Sequence, residues 1–276
     1  MTTQQREYVR EAWDDIAAGY DEFITATNMP LAEMALQRAG VRPGMRLLDI
    51  AAGSGAVAIP AARLGARVLA TDISPAMVEQ LQAPARDEGL SELQARVMDG
   101  HALDVADDTF DIAASQFGIM LFPDLALGLR ELVRVTKPGG RGLIVAFGAP
   151  TKAEFLVFFL GAIQAAVPGF SGLPMDPPPL PFQVADPEKL RHEMAEAGLK
   201  DIRIETVDYE HEFRSGTHMW DAVTSSNPIG AALVADLTSE QTTAVKQVLD
   251  GMLRERSGGT PGAILHAEVN IATGTT

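Results

Sequence analysis

The stretch "LLDIAAGSGAVAIP", residues 47–60, decides how the rest of the chain is read. An apolar run ends at Asp49 and Ile50, a turn of glycine, serine and alanine follows, and small helix-forming residues come next. That order describes a strand feeding a helix through a tight turn, where main-chain N–H groups can face a nucleotide. Read literally, Gly53, Gly55 and Ala58 satisfy the loose dinucleotide pattern GxGxxG/A, with Asp72 as a ribose acceptor. Glycines also occur in tight turns that bind nothing.

Outward from this turn the chain alternates short apolar strands, at 46–50, 67–71, 94–98, 110–115 and 141–147, with helices near 55–64, 75–88 and 124–136. Such alternation implies a parallel sheet covered by helices on both faces. Pro60 and Pro84 fall inside two of these helices, which predicts a kink or an early end at each. Upstream, residues 4–19 pattern as a helix broken at Gly19, and residues 31–39 as a second one stopped by Gly40. Downstream, an apolar helix over 153–167 leads into "PGFSGLPMDPPPLPF", a rigid connector expected to run partly as polyproline II. Asp186 then caps a helix that Gly198 stops. In "DIRIETVDYEHEF", residues 201–213, the apolar phase shifts between Ile204 and Val207, which predicts a bulged strand. The segment 214–230 fits neither period and reads as a loop or lid. A helix over 238–256 follows, and then a strand with Leu265, Ala267, Val269 and Ile271 on one face. The two late strands are expected to pair antiparallel at the sheet edge.

Composition sets outer limits. The chain has 276 residues, 46% of them apolar, and a formal net charge of -15 with no basic run. Nucleic acid is an unsuited partner, because neutralising phosphates takes clustered Lys and Arg. The absence of cysteine excludes disulfides and thiolate metal sites, and no metal is expected. The start lacks a secretory pattern, so a cytoplasmic protein is expected. The apolar run at 153–167 is too short for a membrane span, which needs about 20 residues.

Asp49 speaks against a pyrophosphate ligand, since an anion gains nothing beside another negative charge. A cationic ligand gains. Asp72 and Asp99 stand at two further carboxyl ends of the sheet, where ligands of open α/β folds collect. Three acceptors suit S-adenosylmethionine, which carries an ammonium group, ribose hydroxyls, an adenine amino group and a sulfonium, and no phosphate. Over roughly residues 10–150 the chain then resembles the class I S-adenosylmethionine-dependent methyltransferases, especially the ubiquinone and menaquinone type. The resemblance rests on "WDDIAAGYDEF", "LLDIAAGSG", "VLATDISPAMV", "VMDGHALDVADDTFDIAASQFGIMLFPD" and "ELVRVTKPGGRGLIVAF", in that order. Ala51 stands where the family's GxGxG turn has its first glycine, as in relatives of the quinone type.

The resemblance implies a Rossmann-like, seven-stranded, mostly parallel sheet with the last strand antiparallel and a lid insertion. It implies one domain over 1–276, made of an N-terminal helical cap (1–40), a cofactor-binding core (41–150) and substrate-lid elements at 151–185 and 214–235. By position, the main chain at Ala51, Gly53 and Gly55 approaches the cofactor, and Asp49 orders that turn. Asp72 accepts the ribose hydroxyls, while Ile73 and Met77 pack on adenine. Asp99 accepts from the adenine amino group, with the Gly100 amide at a ring nitrogen. Gln116 and Phe117 lie beside the sulfonium, and Tyr20 closes over the methionine end. Methyl transfer is an in-line displacement that needs no metal and, for a hydroxyl or carbon acceptor, is helped by a general base. Among His101, His192, His211, His218 and His266, the candidate base is His218, in the lid beside Trp220; His211 could point inward, and His192 outward. Trp13, Phe23, Phe155, Phe158, Phe159, Phe170, Phe182 and Trp220 suit a hydrophobic or aromatic small-molecule acceptor, its acceptor atom O, N or C. Two other functions fit parts of the pattern: an NAD(P)-dependent oxidoreductase, and a non-catalytic S-adenosylmethionine-binding protein.

Overall fold

The computed structural model describes residues 3–173 and 178–276. Its centre is a seven-stranded sheet of β1 (Arg46–Ile50), β2 (Arg67–Asp72), β3 (Leu93–Val97), β4 (Phe110–Gln116), β5 (Thr136–Phe147), β6 (Lys200–Phe213) and β7 (Ala263–Thr275). The spatial order is β3-β2-β1-β4-β5-β7-β6. The first five strands run parallel, and β7 lies antiparallel between β5 and β6. Leu47, Leu48 and Ile50 of β1 are wholly buried, as a central strand covered on both faces requires. Strand order reverses beside β1, with β2 on one flank and β4 on the other, so a crevice opens at the carboxyl ends there.

The N-terminal segment departs from the sequence expectation. Helix α1 (Thr3–Tyr20), a π-helical turn (Asp21–Thr25) and α2 (Ala26–Ala39) form one continuous helical run, and Gly19 does not break it. Gly19 instead allows close approach: a Cβ there would collide with the backbone carbonyl of Ser225. The two prolines also behave differently from expectation. Helix α3 (Ala58–Arg63) starts late enough for Pro60 to sit in its first turn, where no intrahelical N–H bond is lost. Helix α4 (Pro75–Asp87) continues three residues past Pro84.

Helices α5 (Leu125–Val135), α6 (Glu154–Ala166) and α7 (Pro187–Glu196) fall where expected, and Asp186 caps α7 by accepting the Glu188 N–H. In the proline tract, Leu180–Phe182 forms a 3-10 turn; the tract's residues 174–177 lie outside the described residues. Two further expectations are corrected. No bulge separates Ile204 from Val207; the register with β7 is continuous from Arg203 to Phe213 and shifts only between Lys200 and Arg203. The apolar phase changes because β6 buries different faces along its length. Ile202 and Ile204 alternate to the face on which α7 packs, while Val207, Tyr209, His211 and Phe213 alternate to the other.

The segment 214–230, expected to be a loop, forms α8 (Gly216–Ser226) and the start of α9 (Pro228–Val234). Ser215 and Asn227 cap them by accepting the His218 and Ile229 N–H groups. Helical periodicity is hidden because the contact faces are small: Gly216 meets the backbone of α10 (Ser239–Arg256), and Gly230 meets that of Val223. A second buried cluster, including Phe159, Ile163, Met219, Trp220 and Leu249, ties α6, α8 and α10 together. Among the described residues, no helix is long and apolar enough to cross a membrane.

Candidate functional site

Two adjoining cavities lie beside the glycine turn, and Trp13, Tyr20, Phe117 and Leu121 belong to both walls. The first, a crevice of about 710 Å³ with its mouth included, is lined by Tyr20, Ala51, Gly53, Asp72, Ile73, Met77, Asp99, Gly100, Gln116 and Phe117. Asp49 and Gly55 stand behind that wall. Gly55, at φ +102°, lets the turn press on Leu81 and Ile59, where a Cβ would come within 2.9 Å of Leu81. Asp49 is 1% exposed, and its Oδ2 meets no donor among the described residues. Burial lifts its pKa well above its ordinary value, against the opposing Ala58 N–H at the start of α3.

Asp72 organises the turn. Its Oδ2 accepts the Gly53 N–H at 2.8 Å and its Oδ1 the Ser74 N–H at 2.9 Å. Each oxygen keeps a further lone pair for a ligand donor. Burial pushes the carboxyl pKa up to about 6, with the Ser74 and Gly53 N–H groups opposing the rise. Gly53 takes φ +53°, and a Cβ there would sit 3.3 Å from the Tyr20 ring, which lies over the turn. Ala51 and Phe117 also take positive φ, 54° and 57°. For a bulky residue this conformation is strained, and strain of this kind collects at functional sites.

Helix α1 closes the crevice from above. Asp14 Oδ1 accepts the Ser74 hydroxyl at 2.5 Å and the Ala76 N–H at 3.2 Å. Arg6 Nε stands 3.4 Å from Asp99, and the hydroxyls of Thr25 and Ser54 bond the π-helical turn to the glycine loop. Two buried polar atoms in the wall have no hydrogen-bond partner among the described residues. Gln116 spends its Nε2 on the Asn28 carbonyl at 3.1 Å, leaving Oε1 buried and bare. His101 engages Asp99 through Nδ1, leaving Nε2 in the same condition. Buried polar atoms in folded proteins are nearly always paired, so these bare atoms, the Gln116 Oε1 acceptor among them, fit a polar ligand in the crevice.

The second cavity, about 820 Å³ with its mouth included, is a chamber walled by aromatic rings. Phe117 stacks on Phe147 with centroids 4.5 Å apart, and His211 stacks on Phe213 at 4.4 Å. Tyr209 donates its hydroxyl to Asn28 Oδ1 at 2.6 Å, and His211 Nδ1 stands 3.5 Å from that hydroxyl. Burial, and then the nearby His218, lowers the His211 pKa to about 4, so the ring is neutral at neutral pH. His218 lines neither cavity. It lies in the first turn of α8, accepts the Arg214 N–H at Nδ1, and sets its ring edge toward Phe23. Of the aromatic residues expected around an acceptor, Trp13 and Phe155 line the chamber, whereas Phe159 and Trp220 are core. Asn28, Tyr209 and Phe213 belong to no motif visible in the sequence. Alternation at 209, 211 and 213 is the available signal, and the apparent bulge obscures it.

Residues 48–144 match a family model described as a methyltransferase domain. An uncharacterized protein of Mycobacterium tuberculosis is 45% identical over 111 residues, which cover 40% of this chain and 40% of that protein. The chain therefore aligns with less than half the length of that relative. The demethylmenaquinone methyltransferase of Streptomyces griseus is 33% identical over 171 residues, covering 60% of this chain and 71% of that protein. Among solved structures, the [4+2]-cyclase SpnF superposes with a TM-score of 0.54 at 19% identity, covering 89% of this chain and 80% of that one. At that identity the likeness speaks for the fold alone. The chain belongs to the class I S-adenosylmethionine-dependent methyltransferases.

Proposed function

We propose that this protein transfers a methyl group from S-adenosylmethionine to a hydrophobic or aromatic small molecule held in the aromatic chamber. The observation that carries the reading is the junction of the two cavities at Tyr20 and Phe117, which connects a donor-seeking crevice to an apolar room. When bound, the cofactor supplies a methyl group already activated on a positively charged sulfur. In this reading Asp72 takes the ribose hydroxyls, Gln116 Oε1 takes the ammonium group, and the Gly53 main chain lies under the methionine portion. Ile73 and Met77 supply apolar contact for the base. Tyr20 and the α1 lid exclude water, which matters because water competes with an acceptor for position and screens charge.

His211, in place of the expected His218, is the group proposed to face the acceptor. With Nδ1–H directed at the Tyr209 oxygen, the neutral ring keeps its lone pair on Nε2, which makes no hydrogen bond among the described residues. A hydroxyl acceptor would donate to that atom and release its proton there as the new bond to carbon forms. The positive charge thereby passes to the imidazole, and no charge separation is created in the apolar chamber.

The sheet order weighs against the oxidoreductase reading, since β7 is inserted antiparallel between β5 and β6, whereas dinucleotide folds extend the sheet in parallel. Calorimetric titration with S-adenosylhomocysteine and, separately, with NADH and NADPH tests the assignment. Binding of S-adenosylhomocysteine alone is the expected result, followed by turnover on a panel of hydroxylated aromatics. Binding of a nicotinamide nucleotide alone would overturn it, and cofactor binding without turnover on any acceptor would favour a non-catalytic binder.

A further inference from the structure

We propose that Asn28 is a positioning residue: acting through Tyr209, it fixes the proton of His211 on Nδ1 and so presents Nε2 to the methyl acceptor. The inference rests on the His211 reading above. Asn28 lies in the first turn of α2, is 3% exposed, and belongs to the chamber wall. It grips the two cavities by different atoms. Its main-chain carbonyl accepts Gln116 Nε2 at 3.1 Å on the crevice side, and its side-chain Oδ1 accepts the Tyr209 hydroxyl at 2.6 Å on the chamber side. Burial raises the Tyr20 pKa, and a side-chain hydrogen bond with Asn28 opposes that rise. A carboxamide N–H donated to the phenol oxygen has this sign, because it favours the phenolate. With Nδ2 turned to Tyr20, Oδ1 is the atom that meets Tyr209.

A phenol has one O–H to give. Burial lifts the Tyr209 pKa to about 12, with a side-chain hydrogen bond to Thr27 opposing the rise, so the hydroxyl keeps its proton at neutral pH. Asn28 receives that proton, and the Tyr209 oxygen therefore turns a lone pair toward His211 Nδ1, 3.5 Å away. The neutral His211 ring has a single N–H. Placed on Nδ1, it meets that lone pair; placed on Nε2, it would leave two lone pairs opposed in a buried site, which is costly. Without the Asn28 carboxamide the phenol is free to turn its O–H to Nδ1, and the imidazole proton moves to Nε2, where it blocks the acceptor. During transfer the acceptor oxygen bonds to the methyl carbon, the electron pair of the broken C–S bond stays with sulfur, and the acceptor's proton passes to Nε2. The imidazolium so formed keeps its Nδ1–H on the Tyr209 oxygen.

NMR of protein labelled with 15N-histidine, with His211 assigned by its loss in His211→Phe, reads the tautomer at neutral pH without any substrate. Wild-type His211 is expected to carry its proton on Nδ1. Asn28→Leu, which keeps the main-chain bond to Gln116, is expected to carry it on Nε2. With a hydroxyl acceptor, Asn28→Leu should lower kcat by about 100-fold while S-adenosylhomocysteine affinity stays within about fivefold. Asn28→Asp, whose carboxyl oxygen still accepts from Tyr209, should restore the Nδ1 proton and most of the rate. In the Tyr209→Phe background, Asn28→Leu should cost little further, since the two residues act as one unit. A proton on Nε2 in the wild type, or one that stays on Nδ1 in Asn28→Leu, would overturn the proposal. Should Asn28→Leu fail to fold, the wild-type spectrum and that of Tyr209→Phe, expected to lose the Nδ1 proton, decide the matter. A proton that moves as expected, with unchanged turnover in His211→Phe, would uphold the role of Asn28 and overturn the proton-transfer reading alone.

Discussion

The crevice and the chamber share a wall but are built in opposite ways. The crevice takes most of its lining from the strand ends and turns of residues 51–123, each turn delivering its side chains to the same end of the sheet. The chamber is assembled across long separations: Tyr209 bonds Asn28, 181 residues away, and Phe155 and Pro181 come from the insertion after β5. The crevice's polar geometry is thus set by short-range offsets along the chain, whereas the chamber's lining depends on contacts between distant segments.

Substitutions on either side of the shared wall can break this comparison. The largest effect is expected from Asp72→Ala, which strands two N–H groups and removes two charged acceptors. At about 1.5–3 kcal/mol for each hydrogen bond to a charged group, S-adenosylhomocysteine affinity should fall about 1000-fold by calorimetry. A change under tenfold would mean the ribose is held elsewhere. His211→Phe should act on the other cavity alone, lowering kcat about 100-fold with a hydroxyl acceptor while leaving S-adenosylhomocysteine affinity within twofold. Unchanged turnover would remove His211 from proton transfer.

The pH response separates two roles of Asp72. Its folded pKa of about 6 lies above the ordinary 3.8, so the unfolded chain gives up this proton first. The carboxyl's contribution therefore makes the ligand-free protein less stable as pH rises from about 4 to about 6. Ligand binding is expected to have the reverse sign: under the proposed function the ionised form is the one that takes the ribose hydroxyls, and affinity should drop by up to about tenfold per unit below pH 6. Asp72→Asn should flatten both trends. Paired thermal melts and titrations across this range would reveal whether they move oppositely.

Smaller effects sharpen the boundary of the chamber. Gly19→Ala forces α1 away from Ser225 and should cost about 1–3 kcal/mol in denaturant unfolding, the scale of an overpacked contact. Its acceptor KM should rise more than its S-adenosylhomocysteine Kd. His218→Ala should leave kcat within twofold, because the ring lines neither cavity; a large loss would return the proton-transfer role to His218.

Short-range pattern determined the central architecture. Strand-helix alternation implied the parallel sheet, and the late apolar strand with Leu265, Ala267, Val269 and Ile271 on one face implied the antiparallel closure. Asp49, Asp72 and Asp99 could be named because they stand at strand ends, which a parallel sheet gathers at one edge, whereas Tyr20, Ile73, Met77, Gly100, Gln116 and Phe117 are named through the family resemblance. Tertiary packing decided the rest. Gly19, a helix breaker by propensity, lies inside a helix because close approach to α8 outweighs its roughly 1 kcal/mol preference against helix. Residues 216–226 are helical although their pattern shows no period, since small residues meet neighbouring backbones. Which histidine faces the chamber, and which nitrogen of His101 is left bare, depends on partners that no spacing encodes: Tyr209 with Asn28 in one case, Asp99 with Arg6 in the other. Periodicity records which face of an element is buried, but only the folded chain decides what that face meets.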